Sequence, residues 1–585
     1  MFFREKITHK EGTLLKHKLT AFLMALCLVI TLFSGCSKNE ADVTLPMAAA
    51  PSSYDPVIAE GADISSIANN LYEGLVRIDE NGNVQPAVAD HWNVTDGGLT
   101  YTFTLKGDSR WHLPTKPDES VKDKNFNEAV TADDFEFALK RAVSPDTKAP
   151  GASKLFSIRN AEAINKGDAR PSTLGVEAKG DNTLVIRLSQ PDTNFLAALA
   201  LPVAMPCNQK FFEATLGRYA LDPTLILTNG PYYLASTSLS GGSLTLAKSD
   251  DYVGNFEARV EKVKFVKAVE NPVVEVKDED KGGSGNTASS ALNIVEELND
   301  DKGSIDAATI SMDGANLIKS KVDITKYDSA VKAICFNQNS VFGSCAPLRK
   351  AFASAIDASR FADGNNGAKG VVADATLGTF GEGYRQSAGR TKPLPYSLGN
   401  SRKYIEEATN ALQGFADSDK EDNFEFSGTF NVKLLCLSDD KAFVQSLVQS
   451  WQKAFGTTLS IEISTYDTER DLKQAISYGS YDIAYATVES DDYLALNVLR
   501  GFTGSSDTNI INLKDEYFNS LVEDAAKTEK GSISKSTKKA EQYLINEAYF
   551  IPVENVQTAF VYKKSVKGLT VLPNGNTFAL YNIGK

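Results

Sequence analysis

Histidine is nearly absent from this 585-residue chain: His9, His17, His91 and His112 are all it has. The first two fall in an N-terminal leader, so a histidine-based zinc site has too few ligands. Cysteine is scarce as well. Beyond Cys27 and Cys36 near the start, Cys207, Cys335, Cys345 and Cys436 remain, with no CxxC spacing. A metal cluster is therefore not expected, while four cysteines allow three pairings. Excess positive charge is missing too: the net charge is −14, and −17 once the basic first 36 residues are set aside. An acidic body argues against a nucleic-acid partner. No Gly-x-Ser-x-Gly elbow is present, and His91 and His112 sit in strand and turn contexts, which counts against a secreted hydrolase. Gly283-Ser284-Gly285 lacks the Gly-Lys-Ser/Thr that would make it a phosphate loop. No cofactor is expected.

The leader carries a strong local signal. Arg4, Lys6, Lys10, Lys16 and Lys18 form a basic region, followed by an uncharged, mostly apolar run over 19–33. That run is short for a membrane span and reads as an export signal. It ends Leu32-Phe33-Ser34-Gly35-Cys36, similar to a bacterial lipobox, so Cys36 is the expected lipidation site. Acyl chains on it would hold the protein to the outer face of the cytoplasmic membrane or in the periplasm. The plainer alternative is an ordinary signal peptide with an incidental cysteine.

At this length the chain needs two or three cores. Alternation predicts strands over 100–105, 183–188, 243–248 and 261–266. Thr131-Ala132-Asp133-Asp134 opens a helix with a hydroxyl cap and two acids at its positive end. Asn81-Gly82 suits a tight turn needing positive φ, and Gly230 stands where the backbone needs a glycine. Residues 277–290 are charged and rich in Gly and Ser, a flexible surface insertion. Beyond the midpoint, an apolar run over 331–336 leads through a polar loop to a helix with Leu348, Ala351, Phe352, Ala355 and Ile356 on one face and Arg349 and Lys350 off it. Strands over 430–437, 459–463 and 481–486 alternate with helices. This order implies parallel strands and a ligand site at their carboxyl ends. The third runs straight into Glu489-Ser490-Asp491-Asp492.

The order of these pieces resembles a family. Leu71-Tyr72-Glu73-Gly74, Trp111-His112, Thr228-Asn229-Gly230-Pro231-Tyr232, Asp251-Tyr252, Cys335-Phe336-Asn337, Leu348-Arg349 and Ala355-Ile356-Asp357 are similar to motifs of the extracytoplasmic oligopeptide- and dipeptide-binding proteins of ABC importers. The resemblance implies an α/β fold of the periplasmic-binding-protein type II kind, with two main lobes and an inserted subdomain that close on a hinge. Its expected division is a signal peptide over 1–36, a tether over 37–50, and lobe I over 51–75 and 175–330 with a return at about 545–585. The inserted subdomain then covers 76–174 and lobe III covers 331–544.

The same resemblance implies a monomer that binds a short peptide and docks on permease subunits, with no catalysis of its own. An Asp after the third strand pairs with the peptide's α-amino group in that family. An ungapped count places Asp491 there, and a slip of one residue places Asp492. Tyr485, Thr487 and Val488 complete the expected binding stretch. Val488 replaces the family's Trp, and no Arg or His lies in 485–490 to meet a peptide carboxylate, so a sugar or another small solute stays open as ligand, as does a peptide-sensing surface receptor. Cys335 matches a position that forms a disulfide in some relatives, but its usual partner aligns with Glu489. A Cys335–Cys345 loop staple is the favoured pairing here.

Overall fold

The computed structural model describes residues 43–58, 61–79, 81–122, 126–238, 241–256, 258–270, 291–357, 367–373, 377–379, 382–418, 424–488, 494–504, 506, 508–528, 532–571, 578–580 and 582–584. The leader, Cys36 and the whole insertion over 277–290 lie outside them.

Three sheets organise these residues. The first runs in the order Val43–Met47, Lys262–Val269, Ser243–Lys248, Tyr232–Thr237, with Leu292–Asn293 also paired to Lys262–Val269. Its first strand corrects the expected tether. Val43, Leu45 and Met47 alternate inward and are at most 1% exposed, so burial of these side chains makes 43–47 a parallel partner of the strand Lys262–Val269. The second sheet, Ala89–Thr95, Thr100–Leu105, Thr183–Arg187 and Val176–Ala178, is antiparallel and draws its last two strands from beyond residue 174.

The family-like motifs of the first half meet in one packed knot. Asn229 accepts from the Glu73 amide at 3.1 Å and donates to the Glu73 carbonyl at 2.8 Å. Tyr252 donates to the Glu73 carboxylate at 2.6 Å, while His112 Nδ1 lies 2.8 Å from Asp251. Trp111 donates to Asp134 at 3.3 Å, and the same Asp134 oxygen accepts from the Thr131 amide at 2.8 Å, closing the capping box. Gly230 is required by close approach: a Cβ there would stand 2.6 Å from the Asn70 carbonyl oxygen. In the Asn81-Gly82 turn the positive φ falls on Gly82 alone, at 76°.

The third sheet has six strands in the order Ala307–Ser311, Phe550–Lys563, Val322–Phe336, Ile483–Val488, Phe430–Leu437, Leu459–Tyr466. The last three are parallel, as the α/β rhythm predicts. Two strands are far longer than their neighbours: Val322–Phe336 has 15 residues and Phe550–Lys563 has 14, antiparallel throughout. At one end Phe550–Lys563 pairs with Ala307–Ser311; at the other Val322–Phe336 pairs with Ile483–Val488. The two strands thus run from one body, whose core surrounds the first sheets, into a second body with a core on each face of the parallel strands. Irregularities between Asp328 and Ala330 and between Lys332 and Ala333 fall midway, where a bulge adds local twist.

One expectation, the cysteine pairing, fails in the second body. Arg349, off the apolar helix face, is itself buried, 2% exposed. Backbone carbonyls compensate its charge: the guanidinium donates to Ser344 at 2.8 Å, Gly343 at 3.0 Å and Glu547 at 3.1 Å. Cys335 and Cys345 are both free, as are Cys207 and Cys436. The reason is topological, because Cys335 packs into the core on one face of the sheet and Cys345 against the core on the other.

Candidate functional site

The parallel strands end together at Leu437, Tyr466 and Val488, and a helix begins soon after each of the first two: Lys441–Phe455 and Glu469–Tyr478. Val322–Phe336 runs antiparallel to Ile483–Val488, so its residues Val331 and Lys332 lie at the same edge, opposite Val488 and Thr487. Next to them on the other long strand are Asn555 and Glu554. Helix starts and strand carboxyl ends both leave unpaired backbone dipoles here, which makes the edge suited to polar ligands.

Ion pairs and hydrogen bonds line this edge. Lys332 Nζ lies 2.6 Å from Asp440 and 5.8 Å from the ring centroid of Tyr485. The Tyr485 hydroxyl donates to Glu554 at 3.0 Å, Thr487 donates to Glu469 at 2.8 Å, and Ser438 donates to Asp467 at 2.7 Å. Burial, with the Glu554 carboxylate beside it, pushes the Tyr485 phenol far above its ordinary range, so it stays a donor. Four carboxylates against one lysine in this set leave the edge acidic, and an acidic, partly desolvated edge favours a cationic group on whatever approaches.

Of the residues expected from sequence, Tyr485, Thr487 and Val488 are brought to this edge. They differ in placement. Tyr485 is 1% exposed and supports the edge from beneath, Val488 is 5% exposed in the core on the opposite face, and Thr487 is half-buried. Asp491 and Asp492 lie outside the described residues. Lys332, Asp440, Glu469 and Glu554 went unremarked in the sequence. A usable signal existed for two of them, since Asp440 and Glu469 each follow the end of a parallel strand within three residues.

Away from the long strands, the two bodies meet again. Arg500 lies 2.8 Å from Asp192, whose side chain is 1% exposed. Thr193 gives the helix Glu516–Ala526 two bonds at its carbonyl end, from N–H at 3.2 Å and from Oγ1 at 3.3 Å, both to Ala526. Ala197 and Leu494, both fully buried, complete this clasp. Beside it opens a polar cleft of about 210 Å³, lined by Lys154, Gln190, Asn497, Arg500 and Glu523. Among the described residues there is no cluster suited to a metal ion and no helix long and apolar enough to cross a membrane.

Comparison with known proteins bears directly on this architecture. Residues 83–509 match the model of the bacterial extracellular solute-binding proteins, family 5, middle region. The dipeptide-binding protein DppE of Bacillus subtilis is 24% identical over 542 residues, covering 90% of this chain and 88% of that protein. The periplasmic oligopeptide-binding protein OppA of Haemophilus influenzae is 25% identical over 577 residues, covering 95% and 96%. Among solved structures, that of the pheromone receptor PrgZ superposes with a TM-score of 0.70 at 21% identity, covering 93% of this chain and 99% of that one. Haemophilus influenzae OppA in complex with RPPGFSPFR gives 0.68 at 20% identity, covering 94% and 99%. The expected α/β binding-protein fold is therefore the observed one, and the family model, matching well over half of the sequence, places the chain among the bacterial extracellular solute-binding proteins of family 5.

Proposed function

We propose that this chain is the peptide-capturing subunit of an ABC importer, exported and held at the membrane surface by lipid on Cys36. It takes up short peptides by closure of two lobes and presents them to permease subunits as a monomer, without catalysis. In this reading residues 331–544 move against the rest about the paired strands Val322–Phe336 and Phe550–Lys563. The observation that carries the reading is the acidic polar edge formed by Lys332, Asp440, Tyr485, Thr487, Glu469 and Glu554 beside those two strands. Asp491 or Asp492, following Val488 in sequence, supplies the carboxylate that pairs with the peptide ammonium. A charged group taken into a cleft needs such a partner. Relatives named as dipeptide- and oligopeptide-binding proteins along nearly the whole length support the ligand class.

The test is a thermal-shift series on refolded, ligand-stripped protein, using di- to hexapeptides in parallel with oligosaccharides. A ligand at about 100 times its Kd adds roughly 2.7 kcal/mol to stability. Peptides are expected to raise Tm, and Asp491→Asn to abolish that rise while Asp492→Asn keeps it. A shift with sugars alone would leave the fold in place and remove peptides as the ligand class.

A further inference from the structure

One buried carboxamide beside the acidic edge, on the face of the sheet opposite Lys332 and Tyr485, has no partner. Asn555 is 5% exposed, and neither its Oδ1 nor its Nδ2 has a hydrogen-bond partner or contact with solvent. Its place in the sheet is well defined. On the long strand Phe550–Lys563 it stands opposite Val331, which on its other side stands opposite Val488, the last residue of the third parallel strand. Along its own strand, the apolar cores of the two bodies lie to either side: Phe550 belongs to one, Ala559 and Val561 to the other. Asn555 is thus a polar group set where two cores adjoin, at the joint between the bodies.

Asn194 Nδ2 and Asn519 Oδ1 also lack a partner, but among the described residues Asn555 alone has both ends of a buried amide unpartnered. Asn229 spends both ends of its amide on Glu73. Asn337, fully buried, donates to the Gly479 and Tyr481 carbonyls and accepts from Asn339 and Asn512. Gln557, two residues along the same strand, donates to Asp328 at 2.7 Å. Asn229 and Asn337 show how this chain satisfies both ends of a buried amide that it uses as scaffold. Shutting a donor and an acceptor away from water without partners costs stability, and a folded protein retains such a group where something else claims it.

We propose that Asn555 is a ligand-contacting residue, and that its carboxamide reads one peptide unit of an extended ligand lying along the edge. The chemistry matches: a carboxamide offers one acceptor and two donors in a plane, the complement of a backbone C=O and N–H. The contact carries no side-chain preference, because every peptide unit presents the same pair of groups. It also couples binding to closure. Asn555 stands at the joint, so a ligand that satisfies it favours the arrangement in which the joint is shut. This inference rests on the peptide reading above and adds to it a residue that the sequence did not mark.

The test uses the full chain in detergent, stripped of carried ligand by denaturation and refolding. Calorimetric titrations use tri-, tetra- and penta-alanine, and tetra-alanine N-methylated at each peptide nitrogen in turn. Asn555→Leu, similar in shape and lacking the polar atoms, is expected to keep or raise the peptide-free Tm and to bind tetra-alanine about 10-fold more weakly. One N-methyl position is expected to cost the wild type about 10-fold and to cost the variant nothing further. Asn555→Ser, smaller and still polar, is expected to weaken binding likewise, which keeps the test valid should the leucine variant fold poorly. Equal affinity in the wild type and both variants, or equal N-methyl losses in all three, would overturn the assignment while leaving the peptide reading intact. Failure of the wild type to bind any alanine peptide would overturn both.

Discussion

The knot around Glu73 and the edge around Lys332 are both buried, polar and built from distant parts of the chain, yet they use their polar groups in opposite ways. In the knot, Asn229, Tyr252 and Asp134 turn inward: each bond closes on another part of the same body, and the partners are largely backbone amides or neighbouring motif residues. At the edge, Lys332, Tyr485 and Thr487 are paired only with carboxylates along the rim, and Asn555 is paired with nothing. A network that closes within one body fixes a shape, even though His112 Nε2 and Thr228 Oγ1 in the knot have no hydrogen-bond partner. A group left unpaired where two bodies adjoin is available to a ligand. The family-like wording of the first half therefore marks scaffold, whereas the proposed binding chemistry lies where the wording departs from the family.

Substitutions in the knot should change stability and spare binding, and those at the edge should do the reverse. The largest effect is expected from Gly230→Ala. The added methyl meets the backbone of Asn70, Leu71 and Tyr72 at 2.6–2.8 Å, none of which can swing aside. A loss of about 3 kcal/mol or more in chemical denaturation is expected, with unchanged ligand affinity in whatever fraction folds. An Ala variant of wild-type stability would show that the turn is looser than the contacts imply.

Next comes the clasp. Arg500→Met removes the cation facing a carboxylate that is 1% exposed, and Asp192 then pulls the two bodies apart toward water. Ligand affinity is expected to fall about 10-fold, mainly through a faster off-rate, since the ligand-closed arrangement loses one of its contacts. A variant that binds normally and is merely less stable would assign the pair to scaffold, with the knot.

The remaining expected effect is one of pH. Burial pushes the Asp134 carboxyl up to about 7, against the hydrogen bonds from Thr131 and Trp111 that lower it. A carboxyl with a raised pKa holds its proton in the folded state and has lost it in the unfolded one between about pH 4 and 7. Stability should therefore fall as pH rises through that window, by at most about 1.4 kcal/mol per pH unit. Asp134→Asn should flatten the slope in urea melts between pH 4.5 and 7, and an unchanged slope would place the titration elsewhere.

The contrast between regions also explains which parts of the structure were legible in the sequence. The parallel strand Ile483–Val488 is apolar enough to be read directly, because it is buried on both faces, and Phe430–Leu437 shows through its alternation of buried Phe430, Val432 and Leu434 with exposed Asn431 and Lys433. The first half of Val322–Phe336 hides, since Asp323, Thr325, Lys326 and Asp328 look like loop residues and the bulges break the two-residue period. For the same reason Asn555 sits unnoticed within Glu554-Asn555-Val556-Gln557. The burial of Arg349 is not legible because a charge on a helix is normally solvated, and here a ring of carbonyls takes the place of water. The cysteine pairing failed on a property that spacing does not carry, namely that a strand separates its neighbours onto different faces.

The central claim is that the acidic edge and the paired strands beside it hold a peptide. It is tested most directly by native mass spectrometry of the protein as purified from its own host, before any ligand is stripped away. The account predicts adducts whose masses resolve, on release and fragmentation, into short peptides of mixed sequence, all lost together in Asp491→Asn. Adducts spaced by hexose units, or one non-peptide mass unaffected by that substitution, would contradict it.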